Sequence, residues 1–138
     1  MMTEILILKK RKDFVRVAKG VSKVTRTAIL QAAPSLSENV IPPKIGYTAT
    51  KKIGKANIRN RTKRRLRAVI RELLPVYGMD NVEYVLIGRH NTYYCPFKEL
   101  KSDIKWALKK VNALLCSDTA PNQDKNEVED ANLTDTLG

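Results

Sequence analysis

The chain has 138 residues, enough for one domain with a single core and no disulfide or metal staple. Lys and Arg number 26 against 14 Asp and Glu, a formal net charge of +12. The two cysteines, Cys95 and Cys116, lack CxxC or CxxH spacing and no apolar run approaches about 18 residues, which argues against a zinc module, a disulfide scaffold and a membrane span.

The charge is divided unevenly. From Ser117 onward there are six acids and one base, Lys125, so residues 1–116 hold 25 bases and 8 acids, or +17. This predicts a basic domain over residues 1–116, followed by an acidic tail over 117–138 that lacks periodicity and is expected to be disordered. Such a domain should bind RNA, DNA or another polyanion. The opening apolar stretch Ile5–Leu8 is too short for a signal-peptide core and precedes its charges, so a cytoplasmic protein with no membrane partner is expected.

In chain order, Lys9–Lys12 is a basic lead-in. Asp13–Lys19 places Phe14, Val17 and Ala18 at helical spacing and ends at Gly20, a helix-stop signal. Val24–Ala33 alternates imperfectly and is read as a strand. Pro34–Pro43 is a loop by its Pro, Ser and Asn content. Lys44–Lys51 alternates Ile45, Tyr47 and Ala49 against Lys44, Gly46, Thr48 and Thr50, a second strand.

The next stretch, Lys51–Arg71, holds ten basic residues and no acid. Asn57 is the expected helix cap, and Pro75 and Gly78 the expected end. Ile58, Thr62, Leu66, Val69 and Leu73 recur on one face of a 3.6-residue helix. Asn60, Arg64, Arg67 and Arg71 fall on the opposite face, with Arg61 at its edge. Like charges at i,i+4, such as Lys63–Arg67 and Arg67–Arg71, each cost a few tenths of a kcal/mol in an isolated helix. A polyanionic partner offsets that cost, and six of the ten are Arg, whose fork pairs with phosphate oxygens.

Pro75–Asn81 reads as a turn and Val82–Gly88 as an interior strand. Asn91–Pro96, with Tyr93 and Tyr94, reads as a loop after Arg89 and His90. Pro96–Leu115 is a helix whose stripe is Phe97, Leu100, Ile104, Leu108, Val111 and Leu115, with Trp106 opposite. A strand–helix–strand order around the basic helix implies a parallel pair joined by a crossover. The lone histidine, His90, supports no Ser-His-Asp or Cys-His arrangement. With no carboxylate pair or metal cluster legible beside the basic region, no catalytic residue is assigned, and a binding subunit is expected.

The run KKIGKANIRNRTKRRLR resembles the signature of the bacterial ribonuclease P protein component, through Lys51, Lys52, Gly54, Ala56, Arg59, Asn60, Arg61, Lys63, Arg64 and Arg67. The resemblance extends over about Lys9 to Leu115. It implies an α/β (α+β) sandwich with about four strands in a mixed sheet packed with helices and a left-handed β-α-β crossover, the fold named for the second domain of ribosomal protein S5. It also implies a subunit that assists removal of the 5′ leader from precursor tRNA. The partners would be a catalytic RNA, which would hold most of the Mg²⁺, and the precursor itself. Lys51, Lys52, Arg59, Asn60, Arg61, Lys63, Arg64, Arg67 and Arg71 would meet RNA, and Phe14, Tyr47 and Lys51 would line a cleft for the single-stranded leader. Ala18 stands where the family often has a second aromatic. The alternatives are a structural RNA-binding protein of ribosomal type and a DNA-binding helix-turn-helix module. The second is disfavoured because the basic helix follows a strand.

Overall fold

The computed structural model describes residues 6–116, so the acidic tail lies outside the described residues. Five strands form one mixed sheet: β1 (Leu6–Ile7), β2 (Val21–Val24), β3 (Ala28–Pro34), β4 (Lys44–Thr48) and β5 (Val82–Gly88), in the spatial order β1-β4-β5-β3-β2. Four helices accompany it: α1 (Arg11–Ala18), α2 (Ala56–Tyr77), α3 (His90–Tyr94) and α4 (Phe97–Cys116). As the strand–helix–strand order implies, β4 and β5 pair in parallel and α2 is the crossover between them.

The sheet has one strand more than the four expected. The stretch read as a single strand, Val24–Ala33, holds only the last residue of β2 and most of β3; the rest of β2 precedes the expected strand. The two strands pair antiparallel around a turn at Thr25–Thr27. There the Thr25 hydroxyl accepts from Ala28 N–H at 3.0 Å and donates to its carbonyl at 2.7 Å. Short polar side chains bonding their own backbone end a strand in this way. The fifth strand, β1, is only two residues, held parallel to β4.

The two faces of the sheet are covered unequally. Against one face pack α2 and α4, and between them lies the main core of Leu30, Ile45, Tyr84, Leu86, Leu66, Ile70, Leu74, Ile104 and Leu108, among others. Against the other lies α1, whose Val17 and Phe14 form a smaller cluster with Leu8, Ala33, Val85 and the partly buried Ile87.

Two helix boundaries differ from expectation for tertiary reasons. Helix α2 starts at Ala56, one residue before Asn57, and runs through Pro75 to Tyr77 before Gly78 closes it. Proline removes one backbone donor, but Leu73 and Leu74 on this turn are buried in the core, and Gly78 N–H bonds the Leu74 carbonyl at 2.7 Å. The expected loop at Asn91–Pro96 contains α3. Its first turn closes when Arg89 N–H donates to the Thr92 hydroxyl at 2.8 Å, and its last carbonyls are met by Arg65 from α2.

Candidate nucleic-acid interface

Helix α2 carries the first surface. Thr62, Leu66, Val69, Ile70, Leu73 and Leu74 are buried, and the Thr62 hydroxyl is satisfied by the Ile58 carbonyl at 2.8 Å. The same rotation leaves Asn60, Arg61, Arg64, Arg67 and Arg71 exposed, and Lys63 half-exposed. Lys51 and Lys52 are exposed on a 3-10 turn, Lys51–Ile53, that leads into the helix. Gly54 closes that turn at φ 153° and ψ −162°, a backbone region open essentially to glycine alone. Arg59 is half-exposed, its Nε donating to the Gly54 carbonyl at 3.3 Å, so the turn and the helix start are joined through a motif side chain.

The ion pairs among the described residues are Arg16 with Asp13 and with Glu83, Arg26 with Glu99, and Lys101 with Glu72. None takes a cation from the Lys51–Arg71 stretch. The wall is therefore not neutralised by the described fold, and its field is available to an anion.

Besides Arg59, two arginines of the stretch have protein partners of another kind. The Arg67 guanidinium lies over the Tyr47 ring, 5.4 Å from its centroid. Burial pushes the Tyr47 hydroxyl up to about 12, with Arg67 and Arg71 opposing that rise. Arg65, which belongs to the basic run but not to the expected contact set, donates to the carbonyls of Thr92 at 2.6 Å, Tyr93 at 2.8 Å and Cys95 at 2.7 Å. Its fork is used to hold α3, which is a structural task.

The second surface is the sheet face beside α1. Phe14 lies against Gly46 of β4: a Cβ there would stand 2.5 Å from Phe14 Cζ. Strand register places Thr48, Ile87, Ile29 and Val24 in one row across this face. Thr48, Ile29 and Ile87 are half-exposed and Val24 is 58% exposed, so α1 leaves the row open. β4 runs from Thr48 into Lys51 and Lys52, which puts cations at the end of the open row. The position of α1 is fixed by Arg16, which bonds Glu83 of β5 and the Pro34 carbonyl, the latter at 2.9 Å.

The structure does not join Phe14 and Tyr47 in one cleft. Tyr47 is paired in register with Leu86 and packs against the α2–α4 core, whereas Phe14 lies on the opposite face with Val85 and Ile87. Alternation along β4 gives the parity of Tyr47 and Gly46, but not which layer each parity meets. The row of Val24, Ile29, Thr48 and Ile87 was missed for the same reason. Its signal was the half-apolar alternation of β4 and of the stretch Val24–Ala33.

Among the described residues no three His, Cys, Asp or Glu side chains converge as a metal-binding group, and no helix is long and apolar enough to cross a membrane. An α/β protein with an unneutralised basic helix and an open, mildly apolar sheet face is, by class, a nucleic-acid-binding protein. The model of the Ribonuclease P family matches residues 2–112. The chain is 40% identical over 110 residues to the ribonuclease P protein component of Paramagnetospirillum magneticum, covering 78% of this chain and 83% of that one. It is 38% identical over 110 residues to that of Ruegeria pomeroyi, covering 79% and 88%. The chain belongs to the ribonuclease P protein family. The fold agrees: a Staphylococcus aureus ribonuclease P protein superposes with a TM-score of 0.61 at 23% identity, covering 75% of this chain and 92% of that one. One from Thermotoga maritima gives 0.57 at 21%, covering 70% and 89%.

Proposed function

We propose that this chain is the protein subunit of a cytoplasmic ribonuclease P, which removes the 5′ leader from precursor tRNA. The observation that carries the reading is the α2 wall: five exposed side chains, four of them Arg, on one helix face with no acid paired to them in the described fold. Lys51, Lys52, Arg59, Asn60, Arg61, Lys63, Arg64, Arg67 and Arg71 contact the phosphates of the RNA subunit, and Asn60 adds a neutral donor and acceptor. The leader strand lies on the open sheet face, its bases against Phe14, Ile29 and Ile87, with Lys51 at the end of the row. Apolar contact of this kind tolerates any base, which suits a subunit that meets many leader sequences.

The catalytic centre belongs to the RNA subunit, which holds the Mg²⁺. This chain's part is to bind and position. The test is reconstitution. The purified chain is added to a bacterial ribonuclease P RNA and a 5′-labelled precursor tRNA at limiting Mg²⁺. Cleavage at the mature 5′ end should rise over RNA alone. No rise, with the protein folded and bound to the RNA, would refute the reading.

A further inference from the structure

Helix α3 is a five-residue element with an unusual division of labour. Its backbone is fixed from three directions: Arg65 of α2 bonds its C-terminal carbonyls, Arg89 Nη1 donates to the Thr25 carbonyl at 2.8 Å, and Asn91 Nδ2 to the Arg26 carbonyl at 3.3 Å. The Thr92 hydroxyl is buried and donates to the Thr27 carbonyl. Its rings are not used in this fixation. Tyr94 is 61% exposed, with Tyr93 edge-on to it and His90 tilted against it, each with centroids 4.8 Å apart.

A rigid, exposed aromatic cluster needs an explanation that core packing does not give. The segments that hold α3 carry cations. Arg61 lies one turn before Arg65 on the same side of α2 and is exposed, as are Arg89, Arg26 and Lys98. The acids nearby are Glu99, which faces Arg26 at 3.9 Å, and Asp103, which accepts from the Thr27 hydroxyl at 2.7 Å. Exposed rings on an element that cationic segments hold in place suit a ligand with both negative charge and a flat π surface, which a nucleotide has.

We propose that Tyr94, buttressed by Tyr93 and His90, is a stacking platform for one unpaired nucleobase of RNA whose adjacent phosphates lie on the α2 wall. The inference rests on the RNA-binding reading of α2 and adds a contact of a different kind: stacking, on α3 rather than on the open sheet face. Because the backbone of α3 is already ordered, little conformational entropy is lost when a base stacks.

The test uses the full chain and a fluorescent oligoadenylate, with a blunt RNA duplex as the comparison. Tyr94→Ala should weaken oligoadenylate binding roughly five- to hundredfold, as loss of one stacked base does, and weaken duplex binding far less. The slope of log affinity against log salt should stay as in the wild type, because no phosphate contact is removed. Tyr94→Phe and Tyr94→Trp should retain affinity. Wild-type affinity in Tyr94→Ala, or an equal loss in Tyr94→Phe, would overturn the platform; a ring kept for a protein partner would give the first of these. If Arg59→Ala with Arg61→Ala still weakens binding in that case, the α2 reading stands and only the platform falls. If the wild type binds neither RNA, both fall.

Discussion

Phe14 and Gly46 occupy one space: the ring of the first fills the volume that any side chain at the second would need. This contact sets the depth of the sheet face beside α1. Gly46→Ala should therefore push Phe14 off the sheet, with about 1–3 kcal/mol of destabilisation from overpacking. Affinity for leader-bearing precursor should fall while affinity for mature tRNA holds. An unfolding curve beside the two affinities checks it, and an unchanged curve would show that α1 moves freely.

Phe14 and Tyr47 should separate by function because they lie on opposite faces. Phe14→Ala should lower precursor affinity about tenfold, near the low end of the 1–3 kcal/mol expected for one stacked base, since Ala18 adds no second ring. Tyr47→Ala removes a half-buried ring from beneath Arg67, and should lower stability without changing the ratio of precursor to mature tRNA affinity. Equal losses for both RNAs in Phe14→Ala would remove it from the leader surface.

Arg59→Ala with Arg61→Ala should reduce the slope of log affinity against log salt for the RNA subunit by about 1–2, if each guanidinium neutralises one phosphate. The chain should remain folded, because neither residue is buried. A titration series across salt concentrations reads this directly, and an unchanged slope places the pair away from RNA.

Arg65 should behave differently from its basic neighbours. Arg65→Ala leaves three carbonyls of the α3 region without their donor and should cost about 2–4 kcal/mol, as loss of several charge-assisted bonds does. Arg65→Lys should recover little, since an ammonium cannot span the carbonyls as a planar fork does. Denaturant unfolding of both variants separates this from an RNA contact, which would leave stability alone.

Burial raises the hydroxyls of Tyr47 and Tyr84 from 10.0 to about 12. The folded pKa exceeds the unfolded one, so this stabilisation is complete below pH 10 and is lost as pH rises from 10 to 12. Tyr47→Phe should show a shallower alkaline loss of stability than the wild type. Identical pH profiles would mean that Tyr47 ionises freely in the folded chain.

What the sequence determined by itself was the basic helix. Its apolar stripe repeats from Ile58 to Leu73 within a helix of 22 residues, so the buried stripe and the cationic wall follow from the 3.6-residue period whatever packs beside them. The parallel β4–α2–β5 unit and most of the α4 stripe were legible for the same reason, being long periodic segments. Tertiary structure decided the rest. Period two assigns Tyr47 and Gly46 to opposite sides of β4, but only the docking of α1 on one face and of α2 and α4 on the other makes one residue core and the other the seat of Phe14. The helix continues past Pro75 because Leu73 and Leu74 are buried, and α3 exists because Arg65, twenty-seven residues before Thr92, supplies donors that no local side chain provides. These features depend on partners distant in sequence, and local pattern carries no record of which distant group arrives.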